Sequence, residues 1–220
     1  TTIEYVQVLL GLDDSYEWFG GAVDARYLVS YEAADDHFDA SEGFVGRVQY
    51  MIAFQSIRPE PRPNLAGGAA TDPEGIENDG CWAENCSAGD ANRSASQPYT
   101  TPVFANFTLV GAPQGAWETT GGNMGMMLRR GTGGLYVNGV VARYSRASVS
   151  LRGDQTKARA DAGNLGLRNI YFTQAPVVFQ TGTGTGESSQ HSLDLAANGL
   201  EAGTAATAGL FTAFPTDTQA

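Results

Sequence analysis

Acidic residues recur in this chain at a spacing that sets carboxylates side by side. Asp13, Asp14 and Glu17 stand shortly before a glycine pair. Twenty-two residues on, Asp35, Asp36 and Asp39 repeat their order, and Glu74 and Glu77 repeat the last two positions after a long interruption. If successive repeats stack, Asp14, Asp36 and Glu74 make one column, and Glu17, Asp39 and Glu77 another. Like charges about 5 Å apart repel by about 1 kcal/mol per pair even in water, so something must offset the repulsion. Calcium is one answer, a hard cation that gathers about six to eight oxygens. Asp13, Asp14, Glu17, Asp35, Asp36, Asp39, Glu74 and Glu77 are its candidate ligands. Scaffolding is another: turn aspartates accept backbone N–H bonds, and Arg129, Arg130 and Arg152 on later repeats can neutralise the acids. A third use is catalytic. Paired carboxylates serve as acid and base in glycoside hydrolysis, with Asp36/Asp39 or Asp39/Glu77 as the pairs. A lyase would instead need calcium and an arginine to take the proton, and Arg129 and Arg152 are the candidates.

These side chains need elements that repeat with them. Ile3-Glu4-Tyr5-Val6-Gln7-Val8 aligns with segments starting at Ala25, Val48, Phe104, Tyr136 and Leu167. One column then holds Tyr5, Tyr27 and Tyr50, followed by Asn106, Asn138 and Asn169. The expectation is an inward asparagine ladder continuing a stack of core or turn tyrosines. A second strand per repeat points Tyr16/Trp18, Phe38/Ala40, Ile76/Asn78, Met126/Leu128, Val149/Leu151 and Val177/Phe179 inward. Parallel strands so close in sequence leave no room for crossover helices, so the chain is expected to be an all-β coil, a solenoid of about six coils over residues 1–181. Long loop insertions break it at residues 55–73 and 79–101. Shorter loops are expected at 111–123 and 154–163. Residues 182–220 read as a low-complexity tail with a short capping helix near Ser192 to Asn198, stopped by Gly199. The repeat pattern starts at Thr1, so upstream coils, a partner chain or a neighbouring copy is expected to cover that end.

Composition removes several functions. A formal charge of −11 argues against nucleic acid, whose phosphates need a basic footprint, and no apolar run suits a transmembrane segment. Two cysteines with only His37 and His191 make no zinc set. No organic cofactor is expected. Cys81 and Cys86 fit a small disulfide loop of an exported protein, with two free thiols as the alternative. Trp82 and Trp117 lie in loops and are candidates for stacking on sugars. His37 is expected to point outward beside its acidic neighbours.

The phrases Glu17-Trp18-Phe19-Gly20-Gly21, Ala34-Asp35-Asp36, Gly46-Arg47-Val48-Gln49 and Leu128-Arg129-Arg130-Gly131-Thr132-Gly133-Gly134, with the asparagine column, carry a resemblance. They resemble the pectate-lyase-like superfamily of right-handed parallel β-helices over about residues 1–180, and within it secreted bacterial β-helix proteins and lipoproteins of unassigned activity. The resemblance implies that fold and an extracellular or cell-surface location. It also implies polysaccharide as a partner, since the superfamily includes calcium-dependent lyases and hydrolases. Neighbouring protein subunits are expected instead from the uncapped start and the Ala/Thr/Gly tail. The Gly-His-Gly and Arg-Ile-Lys phrases of polygalacturonases are missing. A non-enzymatic structural or binding module is favoured, with a polysaccharide lyase or hydrolase, or a subunit of an extracellular assembly, as alternatives.

Overall fold

The computed structural model describes residues 1–64, 68–81, 97–112, 115–117 and 122–204. Long and short strands alternate along the chain. The first three coils supply β1 (Thr2–Gly11), β2 (Glu17–Phe19), β3 (Asp24–Ala33), β4 (Asp39–Ser41), β5 (Arg47–Phe54) and β6 (Glu74–Asp79). The next two supply β7 (Val103–Val110), β8 (Met124–Arg129), β9 (Gly134–Ala142) and β10 (Ala147–Arg152), then a helix, α1 (Asp154–Asp161). β11 (Leu165–Thr173), β12 (Gln190–His191) and β13 (Leu200–Gly203) complete the described elements.

The long strands form one sheet in the order β1-β3-β5-β7-β9-β11-β13, and the short ones a second, β12-β10-β8-β6-β4-β2. Every second strand along the chain pairs with the last of its kind, and every pairing except β10 with β12 is parallel. Such a chain is a parallel β-helix, because turns this short return a strand beside its predecessor only by winding round a common axis. The expected register holds in the long sheet. Ile3 lies opposite Ala25, Ala25 opposite Val48, Val48 opposite Phe104, Phe104 opposite Tyr136 and Tyr136 opposite Leu167.

The core follows from the alternation. Phe38, Ile76, Met126 and Val149 are fully buried between the sheets, as are Phe104, Phe107, Tyr136 and Phe172 from the long strands. Each such side chain contributes about 1.5–3 kcal/mol by leaving water. Aromatic rings stack along the axis, Tyr16 on Phe38 at 5.2 Å and Trp18 on Phe44 at 5.3 Å. Gly139 sits under Phe107, where a Cβ would come within 2.1 Å of that ring.

Four local expectations need correction. The tyrosine and asparagine column does not face inward. Tyr5, Tyr27, Tyr50, Asn106, Asn138 and Asn169 all have φ between 52 and 59°, and this left-handed residue interrupts strand alternation. It turns the side chains to solvent: the tyrosines stack outside at 4.7 and 5.0 Å, and Asn138 and Asn169 each donate to the preceding asparagine at 3.4 Å. Residues 154–161, expected as loop, form α1, which places Asp154 in its first turn and Arg159 in its last, both favourable to the helix dipole. Val149 lies opposite Phe179 rather than Val177, so Phe179 enters the core while Val177 is exposed. The segment after 181 is not a plain tail. Ala196–Asn198 is a single 3-10 turn ended by Gly199 at φ 62°, and β13 then adds a seventh strand to the long sheet. Antiparallel β12 closes the short sheet at that end, whereas β1 is the outermost strand at the other.

Candidate functional site

The short strands β2, β4 and β6 put the acidic repeats on one face across the first three coils. At the turn before each strand, an acid of one coil serves the next. The Asp36 backbone N–H donates to Asp14 Oδ1 at 2.8 Å, and the Glu74 N–H donates to Asp36 Oδ1 at 2.9 Å. On the strands themselves Glu17 lies opposite Asp39, and Asp39 opposite Glu77. Both columns therefore exist as the repeat spacing requires. Three overlapping sets have carboxylate oxygens within 4.8 Å of one another: Asp13, Asp14 and Asp35; Asp14, Glu17 and Asp39; Asp35, Asp36 and Glu74. Shared members join them into one cage, open at Asp13 and Glu17 and closed at Asp36 and Glu74.

Hydrogen bonding does not account for the cage. Glu74 is 1% exposed and its oxygens find no partner but the Asp36 carboxyl, which can bond to them only through a shared proton; Asp39 Oδ1 is buried without a donor as well. Burial pushes Asp14 and Asp35 up to about 7, and their acidic neighbours add to it. Asp36 is raised well above the carboxylate range by burial and then by Glu77, Glu74 and Asp39. Asp39, Glu74 and Glu77 are raised too, burial first and neighbouring acids second. A cluster of carboxyls held this far from their ordinary range, with oxygens lacking donors, is matched to a cation or to protons.

Arginines close the cage on the side of the fourth coil. Arg129 pairs with Glu77 and, at 2.8 Å, with Asp79, and Arg130 pairs with the same Asp79. Burial works against the charge of Arg129, but Asp79 and Glu77 outweigh it and hold the guanidinium above its ordinary value. Arg152, on the next coil, differs. Its Nε is buried without a partner, and burial together with Arg129 lowers its pKa. Asp79 was no part of the predicted set, although its place two residues after Glu77 and across from Arg129 in the strand register is a signal that finds it.

Residues 1–219 match the family model described as a pectate-lyase like beta helix domain. This chain belongs to that family. No curated protein and no solved structure matches it. Membership in the pectate-lyase-like β-helix family carries a fold; an activity has to come from the side chains.

Elsewhere on this β-helix several expected contacts fall differently. Trp117 is buried against Ala34 and Ala112, with Ala69 and Ala70 beside it, so it pins a loop and offers no ring face to a sugar. Trp82 and Cys86 lie outside the described residues, and Cys81 is buried. His37 points into the coil rather than out: it is 1% exposed, its Nδ1 is 2.5 Å from Ser30 Oγ, and Ser30 donates on to Ser15 Oγ at 2.7 Å. Burial pushes its pKa down to about 3, so the ring is a neutral part of an internal polar chain. The turn that holds it is the same one that presents Asp36, which is why neighbouring residues end on opposite sides. No helix among the described residues is long and apolar enough to cross a membrane.

Proposed function

We propose that this β-helix is a calcium-binding structural or binding module of the cell exterior, with the carboxylate cage of coils one to three as its cation site. The observation that carries the reading is Glu74 and Asp39: buried carboxylate oxygens with no donor beyond a proton that Asp36 can share, in register with further acids. Asp14, Glu17 and Asp39 would hold an ion at the rim, and Asp35, Asp36 and Glu74 one deeper in. A bound cation there would screen the acids and tie three coils together. Adaptable carboxylate sites of this kind in extracellular modules fill at roughly millimolar calcium, which fits a location outside the cell. A Cys81–Cys86 disulfide fits the same setting. Calorimetric titration of chelator-stripped protein with calcium tests the assignment. Heat that disappears in Glu74→Gln supports it, and a flat titration of the parent chain ends it.

Arg152 favours a second reading, cleavage of an acidic polysaccharide. An arginine with a lowered pKa and a free Nε, one coil from Arg129 and two from Glu77 and Asp79, is suited to accept a proton from a carbon next to a carboxylate. A cation in the cage would supply charge to bind that carboxylate. Asp39 and Glu77 would orient it, and Arg129, committed to Glu77 and Asp79, would position rather than react. Release of unsaturated ends from polyuronates, lost in Arg152→Gln, would establish this, and intact polymer after prolonged incubation would remove it.

Exposure at the β1 end favours the remaining reading, a subunit of an extracellular assembly. Tyr5, Leu9 and Leu10 on β1 and Phe19 on β2 are exposed on the outermost strands of the two sheets, edges that further strands can cover. Light scattering that shows particles larger than one chain supports this, and a monodisperse monomer contradicts it.

A further inference from the structure

The chain holds 24 acidic residues against 13 basic ones, so an arginine without an acid needs a reason. Among the described residues Arg159 and Arg168 pair with no carboxylate, and both line the same open groove of about 540 Å³. The groove runs across the starts of β7, β9 and β11, on the long sheet and away from the acidic cage. Arg159 comes from the last turn of α1 and lies over the ring of Tyr99, which holds its position by cation–π contact. Arg168 is exposed on β11; its Nη1 donates to the Leu167 carbonyl at 2.9 Å and to Asn198 Oδ1. That leaves its Nε and Nη2 edge unused, a two-donor fork suited to an oxyanion. Leu135, exposed on β9, and Pro102 give the groove an apolar wall, with Asn164 also lining it.

We propose that this groove is a binding site for a carboxylate-bearing ligand, with Arg159 and Arg168 taking the carboxylate and Leu135 and Pro102 carrying its body. The site is independent of the cation reading above. α1 is what creates it: the helix interrupts the fifth coil and hangs Arg159 over strands that otherwise carry few charges.

Ligand-observed NMR titrations with glucuronate, benzoate and glucose test the site. Both acids share the carboxylate, while their bodies distinguish a hydroxylated ligand from an apolar one. At least one acid should bind, glucose should not, and affinity should fall as salt is added. Arg168→Gln should weaken the acid by about tenfold, and Arg168→Lys, which keeps the charge and loses the fork, should recover only part of that. Lys157→Gln removes the same charge nearby, from a side chain already paired with Asp161 at 2.5 Å, and should leave affinity unchanged. Acids that bind no better than glucose would overturn the proposal. Acid binding that survives Arg159→Gln combined with Arg168→Gln, or that falls equally in Lys157→Gln, would overturn it as well.

Discussion

Replacing Asp39 with asparagine separates what the acidic column costs from what it binds. Asp39 faces Glu17 on one side and Glu77 on the other, one strand spacing away in each direction. At about 4.8 Å, two like charges repel by about 0.9 kcal/mol in water and about 3.5 kcal/mol at an effective dielectric of about 20. Glu77 is neutralised by Arg129 and Glu17 is open to solvent, so the lower part of that range applies. Burial is the larger cost. It and then Glu77 push the Asp39 carboxyl up to about 9, so at neutral pH without a cation the folded chain carries Asp39 protonated. The repulsion sets a floor of about 1–2 kcal/mol against the folded state. Asp39→Asn relieves it, and the new amide can donate to the carboxylates around it. For a chain of this length 1 kcal/mol shifts the melting temperature by about 2–4 °C, so in chelator at neutral pH the variant should melt about 3–6 °C above the parent. Calcium at about a hundred times its Kd adds about 2.7 kcal/mol to the parent, a rise of about 5–10 °C. The variant should gain less than half of that. Thermal melts followed by circular dichroism, with and without calcium, read both numbers. A variant that melts lower than the parent in chelator, or that gains as much from calcium, refutes the reasoning.

Four further outcomes follow from the same contacts. Arg129→Gln strips Glu77 and Asp79 of a buried partner and should cost about 3–5 kcal/mol in chelator, with part recovered by calcium; urea denaturation measures it. Asp14 and Asp35 hold protons up to about 7 when folded, against about 4 when unfolded. Their contribution is thus present below about pH 4 and drains as pH rises to about 7, so chelator melts should fall across that window and calcium should reverse the trend. His37 has the opposite sign: with its folded value down at about 3, its contribution is present above about 6.5 and lost as pH falls. His37→Gln should flatten that acid-side loss in a pH series of melts. In the tyrosine stack, Tyr27→Asn keeps a residue tolerant of left-handed backbone and should cost about 1 kcal/mol, while Tyr27→Val, β-branched at φ 58°, should cost clearly more; paired denaturation curves compare them.

The coil and its register were legible because inward positions repeat. Ile3, Ala25, Val48, Phe104, Tyr136 and Leu167 align by apolar alternation, and the two acidic columns follow once that frame is set. Side-chain direction at the corners was not. A single left-handed residue breaks the alternation, so Tyr27 and Asn138 turn outward although the pattern around them reads as inward. His37 shows the converse: its acidic neighbours suggest solvent, yet the turn aims it at Ser30 in the long sheet, a contact that depends on the packing of two strands. Trp117 looked available because it lies in a loop, but an alanine-lined recess accepts it. α1 was hidden by its weak apolar periodicity; the helix lies on the surface and buries only Thr156.

The cage is tested most directly by an anomalous difference map from crystals soaked in calcium or terbium. A peak with oxygens of Asp14, Glu17 and Asp39, or of Asp35, Asp36 and Glu74, at about 2.3–2.6 Å is the predicted result. A map without density at either place, with Glu74 and Asp39 bonded only to protein donors, would contradict it.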